Sequence, residues 1–213
     1  ARTLTHYGWQ VSPYSAKTRS YLLALGVEFK DCEPSVIKLV REVKPAVGRI
    51  IMPTVRLSSG EWLQDSSVII DHFEEAQLGA PMIPRGPKQR VASYLLEVFA
   101  DEWLPMIALQ SRWKIPENAT FALDEFARSG LPWLPRVIGR RVVRRFADKM
   151  RGYLNPLGVN PETTPGLKET LNLILSALES QLSSTPYLFG DRPSLGDFSL
   201  FGPLWAHLYR DPG

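Results

Sequence analysis

Along the first third of the chain, apolar positions alternate with polar ones, shift to a spacing of three and four, and then alternate again. RTLTHY (residues 2–7) alternates and is β-branched, the signature of a short strand. SPYSAKTRSYLLALG (12–26) sets Tyr14, Tyr21, Leu22 and Leu25 at helical spacing, with Gly26 as the stop. Ser12 before Pro13 suits that helix start: the hydroxyl accepts an orphan N–H, and proline's missing N–H costs nothing there. VEFKDCEP (27–34) alternates again, and between Ser35 and Pro45 the residues Val36, Leu39, Val40 and Val43 share a helical face. PTVRLSSGEWLQD (53–65) reads as two strands around a Ser-Gly turn, and DSSVIIDHFEEA (65–76) as a helix capped by Asp65 or Ser66. The order β-α-β-α-β-β-α calls for a right-handed parallel unit with an added hairpin, a small thioredoxin-like layer.

QLGAPMIPRG (77–86) is rich in Gly and Pro, and no convincing strand follows it. PKQRVASYLLEVFADEWLPMIALQSRW (87–113) reads as one long helix that Pro105 kinks by removing a backbone bond. LPRVIGRRVVRRFADKM (134–150), PGLKETLNLILSALESQL (165–182) and PSLGDFSLFGPLWAHLY (193–209) are three more. The expected architecture is an α/β thioredoxin-like N-terminal domain over residues 1–78, a linker over 79–86, and an all-α C-terminal helical bundle over 87–213.

Composition narrows the chemistry. The chain has 213 residues, enough for a real core, and its 44% hydrophobic and 22% charged residues are ordinary for a soluble globular protein. A net charge of +3 is too small to argue for nucleic acid. The single cysteine, Cys32, leaves no internal disulfide framework and no Cys-x-x-Cys pair, which fits a reducing, cytoplasmic setting. His6, His72 and His207 lie far apart with no ligand spacing, so no metal is expected. Nothing at the start has the form of a secretion signal, and no apolar run reaches the roughly 18 residues of a membrane span.

Four motifs occur in order: SPYSAKTR (12–19), MPTV (52–55), LQDSSVIIDHFE (63–74) and PYLFGDRPSLGDFSLFGPL (186–204). Together they resemble the cytosolic glutathione transferase family over nearly the whole chain, with a serine-type opening motif. QDSSVII and LLEVFADEWL suggest a bacterial branch. The resemblance implies the glutathione transferase fold, glutathione as co-substrate and a homodimer. The implied activity is attack of the glutathione thiol on a small, apolar electrophile, as in detoxification. The alternative is a non-catalytic binding or regulatory protein on the same fold. A thiol-disulfide oxidoreductase is disfavoured because Ser12 stands where cysteine-type relatives carry a thiol.

The same resemblance implies site residues. Ser12 ranks first as the group that activates the thiol, through a hydroxyl hydrogen bond aided by the helix dipole; on local grounds alone the plain helix cap is the favoured reading. Tyr7 ranks second, as the phenol of tyrosine-type relatives, and Ser15 third; Tyr14 shares their turn. Met52 would precede a cis Pro53 and turn its backbone toward the cysteinyl part of glutathione, unless the proline merely opens an edge strand. Ser66 would meet the γ-glutamyl carboxylate at a helix N-terminus, and Asp65 or Gln64 the ammonium. Lys38 and Arg41 are candidates for the glycyl carboxylate, though each also fits a solvated face. Phe99, Trp103, Met106, Gln110 and Trp113 line one helical face. That face is bundle core or, with Trp9 closing it and Tyr14 beside it, an apolar substrate pocket. Ser194 and Asp197 form a capping box with no catalytic role. The rows Arg136, Arg140, Arg144 and Arg141, Arg145, Lys149 read as a solvated charged face.

Overall fold

The computed structural model describes residues 3–213; Arg2, in the expected opening strand, lies outside them. Four short strands form one sheet in the order β2-β1-β3-β4. They are β1 (Thr5–Tyr7), β2 (Lys30–Cys32), β3 (Thr54–Arg56) and β4 (Trp62–Gln64). β1 runs parallel to β2, with Thr5 opposite Lys30, and antiparallel to β3, with His6 opposite Val55. The hairpin partner β4 closes the edge, Val55 facing Leu63. The expected β-α-β-α-β-β-α order is the observed one.

Helix α1 (Pro13–Ala24) crosses between the parallel strands and α4 (Ser66–Glu75) follows the hairpin. Tyr21 and Leu22 of α1, Ile69, Ile70 and Phe73 of α4, and Val55 of the sheet make one buried cluster. Each such side chain contributes about 1.5–3 kcal/mol relative to staying exposed. The segment after β2 is helical in three pieces: α2 (Val36–Lys38), a π-helical turn Leu39–Val43, and α3 (Lys44–Val47). The widened turn has a cause in the sequence. Pro45 lacks an N–H and its ring clashes with the carbonyl four residues back, so the ladder shifts and Lys44 donates to Leu39 instead.

The second half is helical: α5 (Pro87–Val98), α6 (Leu104–Lys114), α7 (Pro116–Gly130), α8 (Arg136–Gly152), α9 (Thr164–Leu182) and α10 (Leu195–Pro203). The kink expected at Pro105 is a second π-helical segment, Phe99–Trp103, in which Leu104 donates to the Phe99 carbonyl. Helix α7 is an addition to the expected set. A third π-helical stretch, Leu204–Tyr209, continues α10. The capping box forms: the Asp197 carboxylate accepts from the Ser194 N–H at 2.8 Å and from the Leu188 N–H at 3.0 Å. Helix α10 lies directly on α1. A Cβ on Gly202 would stand 2.6 Å from the Pro13 carbonyl oxygen, so only glycine permits that approach. Among the described residues no helix is long and apolar enough to cross a membrane.

Candidate active site

A cleft of about 250 Å³ opens where the sheet layer meets α5 and the π-helical turn after it. Ile51, Met52 and Pro53 form one side, Asp65, Ser66 and Ser67 a second, and Tyr14, Asp101 and Glu102 the third. The Met52–Pro53 bond is cis. Asp65 is the N-cap of α4, accepting the Ser67 N–H at 3.0 Å, while Ser66 is the buried first residue of the helix. Asp65 holds a φ of 80°, a conformation that costs a non-glycine residue on the order of 1–3 kcal/mol. The unspent N–H groups of α4 and its dipole make this a place for an anionic group.

The floor between the two halves is charged and buried. Lys17 of α1 is 1% exposed, and its Nζ donates to Glu97 at 2.7 Å and to Asp101 at 2.6 Å. Glu97 also accepts from the Ser67 hydroxyl at 2.8 Å, which links α5 to the start of α4. Burial raises the Asp101 carboxyl above its ordinary range, with Lys17 opposing. Tyr14 reaches the same turn. Pro105 cannot donate to the Asp101 carbonyl four residues before it, and the Tyr14 hydroxyl donates there instead at 2.9 Å. Burial, then the charges of Asp101, Glu102 and Asp65, push the Tyr14 phenol up to about 12.

The opening turn is held from the opposite side. Ser12 caps α1, its Oγ accepting the Ser15 N–H at 3.2 Å. Ser15 is fully buried and its Oγ has no hydrogen-bond partner among the described residues. It presses on Gly8, where a Cβ would lie 2.5 Å from that oxygen. The carbonyl just before Ser12, on Val11, accepts from Arg112 Nη1 at 2.8 Å. Arg112 is 3% exposed, pairs with Asp211 through two contacts of 2.9 Å, and also donates to the Ala206 carbonyl. His207 completes the group. Its Nδ1–H donates to the Ala108 carbonyl at 3.1 Å, so its Nε2 accepts from Arg112 at 3.3 Å. Burial and then the guanidinium hold the His207 ring well below its ordinary pKa.

The geometry gathers Met52, Pro53, Asp65, Ser66 and Tyr14 around the cleft. Ser12, Ser15 and Tyr7 are not among its lining residues. The Tyr7 phenol donates to Glu42 at 3.2 Å, its ring stacks on Trp62, and burial first of all pushes it up to about 12. That environment opposes a thiol-activating phenol. Gln64 accepts from Arg49 at 3.1 Å. Lys38 lies over the Tyr7 ring, 3.9 Å from Glu42, and Arg41 is exposed on the π-helical turn. Neither cation lines the cleft. Trp9, expected to close a substrate pocket, is core instead: it donates to the Pro34 carbonyl at 2.8 Å and packs against Phe126 and Phe146. Trp113 is core as well, beneath the Arg151 guanidinium, and Met106 packs on the same cluster. Gln110 is half-buried on α6. Trp103, 55% exposed, follows Asp101 and Glu102 in the chain but is not among the residues lining the cleft.

The family models agree with this geometry. Residues 7–81 match the glutathione S-transferase N-terminal domain and residues 161–212 the glutathione S-transferase C-terminal domain, together more than half the chain. The chain belongs to the glutathione S-transferase family. Similar solved structures include FzlA from C. crescentus, 17% identical with a TM-score of 0.61 over 99% of this chain and 80% of that one. A glutathione transferase family member from Pseudomonas fluorescens Pf-5 with bound glutathione is 19% identical, TM-score 0.53, over 99% and 85%. Glutaredoxin 2 from Salmonella typhimurium, in complex with glutathione, is 15% identical, TM-score 0.60, over 96% and 84%. At these identities the likeness is one of fold.

Proposed function

We propose that the cleft binds glutathione and that the protein presents its thiolate to a small, apolar electrophile. The observation that carries this reading is the meeting of the Met52–Pro53 turn with the capped N-terminus of α4 in one cleft. In this reading Met52 offers its backbone to the cysteinyl part, the α4 N-terminus at Ser66 takes the γ-glutamyl carboxylate, and Asp65 takes the ammonium. Lys38 and Arg41 remain the candidates for the glycyl carboxylate, and Arg49, which donates to Gln64, joins them. Ser12, two residues before the cleft-lining Tyr14 and with its hydroxyl hydrogen left to donate, is the thiol-activating group, and the exposed Trp103 that follows Glu102 offers an apolar surface to the electrophile. A role in detoxification and a cytoplasmic location belong to the same proposal.

Calorimetry with glutathione, on protein freed of bound thiol, tests the reading; no binding at millimolar ligand overturns it. If binding occurs, Ser12→Ala raises the pKa of the bound thiol by about one to two units. That follows from losing one charge-assisted hydrogen bond worth roughly 1.5–3 kcal/mol. Thiolate absorbance against pH reads the shift, and thermal denaturation separately reads the lost cap, about 1 kcal/mol. A thiol pKa unchanged by Ser12→Ala reduces Ser12 to a helix cap.

A second reading, a binding or regulatory member that does not activate glutathione, has one specific support. Asp65, Asp101 and Glu102 line the cleft and, among the described residues, no lysine or arginine does, whereas glutathione brings two carboxylates of its own.

The homodimer is also proposed. Val91, Leu95 and Val98 are exposed on one stripe of α5, spaced by four and three, and Val68 is exposed on α4. Sedimentation is expected to return twice the 24.0 kDa chain mass at micromolar concentration. Leu95→Glu is expected to return a monomer; a wild-type monomer overturns the assignment.

A further inference from the structure

The arginine-rich helix α8 divides into neutralised and free charge. Its inner face, Gly139, Val143 and Ala147, is buried against α7, close enough that a Cβ on Gly139 would stand 3.0 Å from that of Ala127. Arg136 and Arg140 both pair with Asp124 of α7, and Arg151 pairs with Asp148 at 3.0 Å. Glu125, the other acid of that α7 turn, is engaged by Arg128 and Arg210. Four cations remain. Arg141, Arg144, Arg145 and Lys149 are exposed and make no ion pair or hydrogen bond among the described residues. They occupy about 12 Å of helix, at 1.5 Å per residue.

Apolar side chains stand beside them. Val137 is 79% exposed, Ile138 and Val142 are about half exposed, and Trp133, in the loop before α8, is 50% exposed. Ile138, Val142, Arg145 and Lys149 are spaced by four, three and four, so they form one row: two aliphatic side chains followed by two cations. An uncompensated cation row next to exposed aliphatic and indole groups suits the boundary of an anionic bilayer. Guanidinium and ammonium groups meet the headgroup phosphates there, and tryptophan and short aliphatic chains enter the interfacial layer. A nucleic-acid backbone would use the charge and leave the apolar groups without a role. The stripe of α5 assigned above to a second copy lies on a different helix.

We infer that the outer face of α8, with Trp133 before it, docks the protein reversibly on anionic lipid surfaces. Flotation of the full chain with vesicles tests this, using phosphatidylcholine alone and an equal mixture with phosphatidylglycerol. The protein is expected to float with the mixed vesicles and not with the neutral ones, and to be released by high salt. Joint replacement of Arg141, Arg145 and Lys149 by glutamine is expected to weaken partitioning roughly 100-fold, about fivefold per cation. Trp133→Ala weakens it at unchanged charge, and the charge-matched control, Lys88→Gln, Lys114→Gln and Lys168→Gln together, weakens it far less than the α8 variant. Circular dichroism establishes that each variant is folded, as expected for exposed positions. Equal binding to both vesicle types overturns the proposal, as does mixed-vesicle binding that survives the triple replacement. Duplex DNA bound more tightly than the mixed vesicles, with no dependence on Trp133, overturns it in favour of a nucleic-acid surface.

Discussion

Replacing Lys17 by methionine destabilises the protein by about 3–5 kcal/mol at neutral pH, the usual cost of removing one partner from a buried ion cluster. The chain length is nearly kept, so the loss measures the charge. Glu97 and Asp101, four residues apart on the same helical segment, are then left side by side with no cation, where Lys17 now sits 2.7 and 2.6 Å from them. The pH dependence has a fixed sign. Burial already raises the Asp101 carboxyl, and without the ammonium it rises further. The folded variant therefore binds more protons than the unfolded chain between the ordinary carboxyl pKa and this raised one. Its stability falls as pH climbs through that window and returns on acidification. Urea denaturation of wild type and variant at several pH values measures this; a penalty independent of pH would show that packing, not charge, was lost.

An effect of similar size, about 3–5 kcal/mol, is expected for Arg112→Met. It strands the Asp211 carboxylate, whose side chain is fully buried, and removes the donor from the carbonyls of Val11 and Ala206. His207 supplies the distinguishing signature. Its ring is neutral in the folded state because burial, and then Arg112, lower its pKa. A base lowered on folding stabilises fully above its unfolded pKa of about 6.5 and loses that contribution as pH drops below it. Wild type therefore weakens on acidification from that point. Arg112→Met removes the guanidinium's share, so its acid-induced loss is smaller. Denaturation midpoints at pH 7 and 5 compare the two, and equal losses would remove Arg112 from the account.

Much of this was legible from local pattern. Alternation marked the strands, Ser12-Pro13 marked the start of α1, and the acidic-Ser step marked α4, because strand period and cap chemistry act within a few residues. What escaped acts at a distance or leaves composition unchanged. A π-helical turn keeps the same residue types and moves only the hydrogen-bond partner, so Leu39–Val43 and Phe99–Trp103 passed for ordinary helix. Helix α7 was not read from the sequence although it is amphipathic, burying Ala119, Ala122, Phe126 and Ala127 on one face. Trp9 became core because Phe126 and Phe146, more than a hundred residues on, fold over it. Lys17 reads as one more polar helix position until Glu97 and Asp101 arrive from α5 and the turn after it. Arg112 finds Asp211 from 99 residues away.

The Lys17 bridge also governs how the molecule deforms. Its root is in α1, its two anchors are in the helical half, and Gly202 lets α10 seat against the same stretch of α1. Swinging the halves apart would draw the ammonium off both carboxylates and lift α10 from Pro13 at once, so the two contacts oppose such an opening together. A ligand meets a cleft whose lining draws on both halves, Met52 from one and Glu102 from the other, so the contacts that join the halves also set the spacing of its walls.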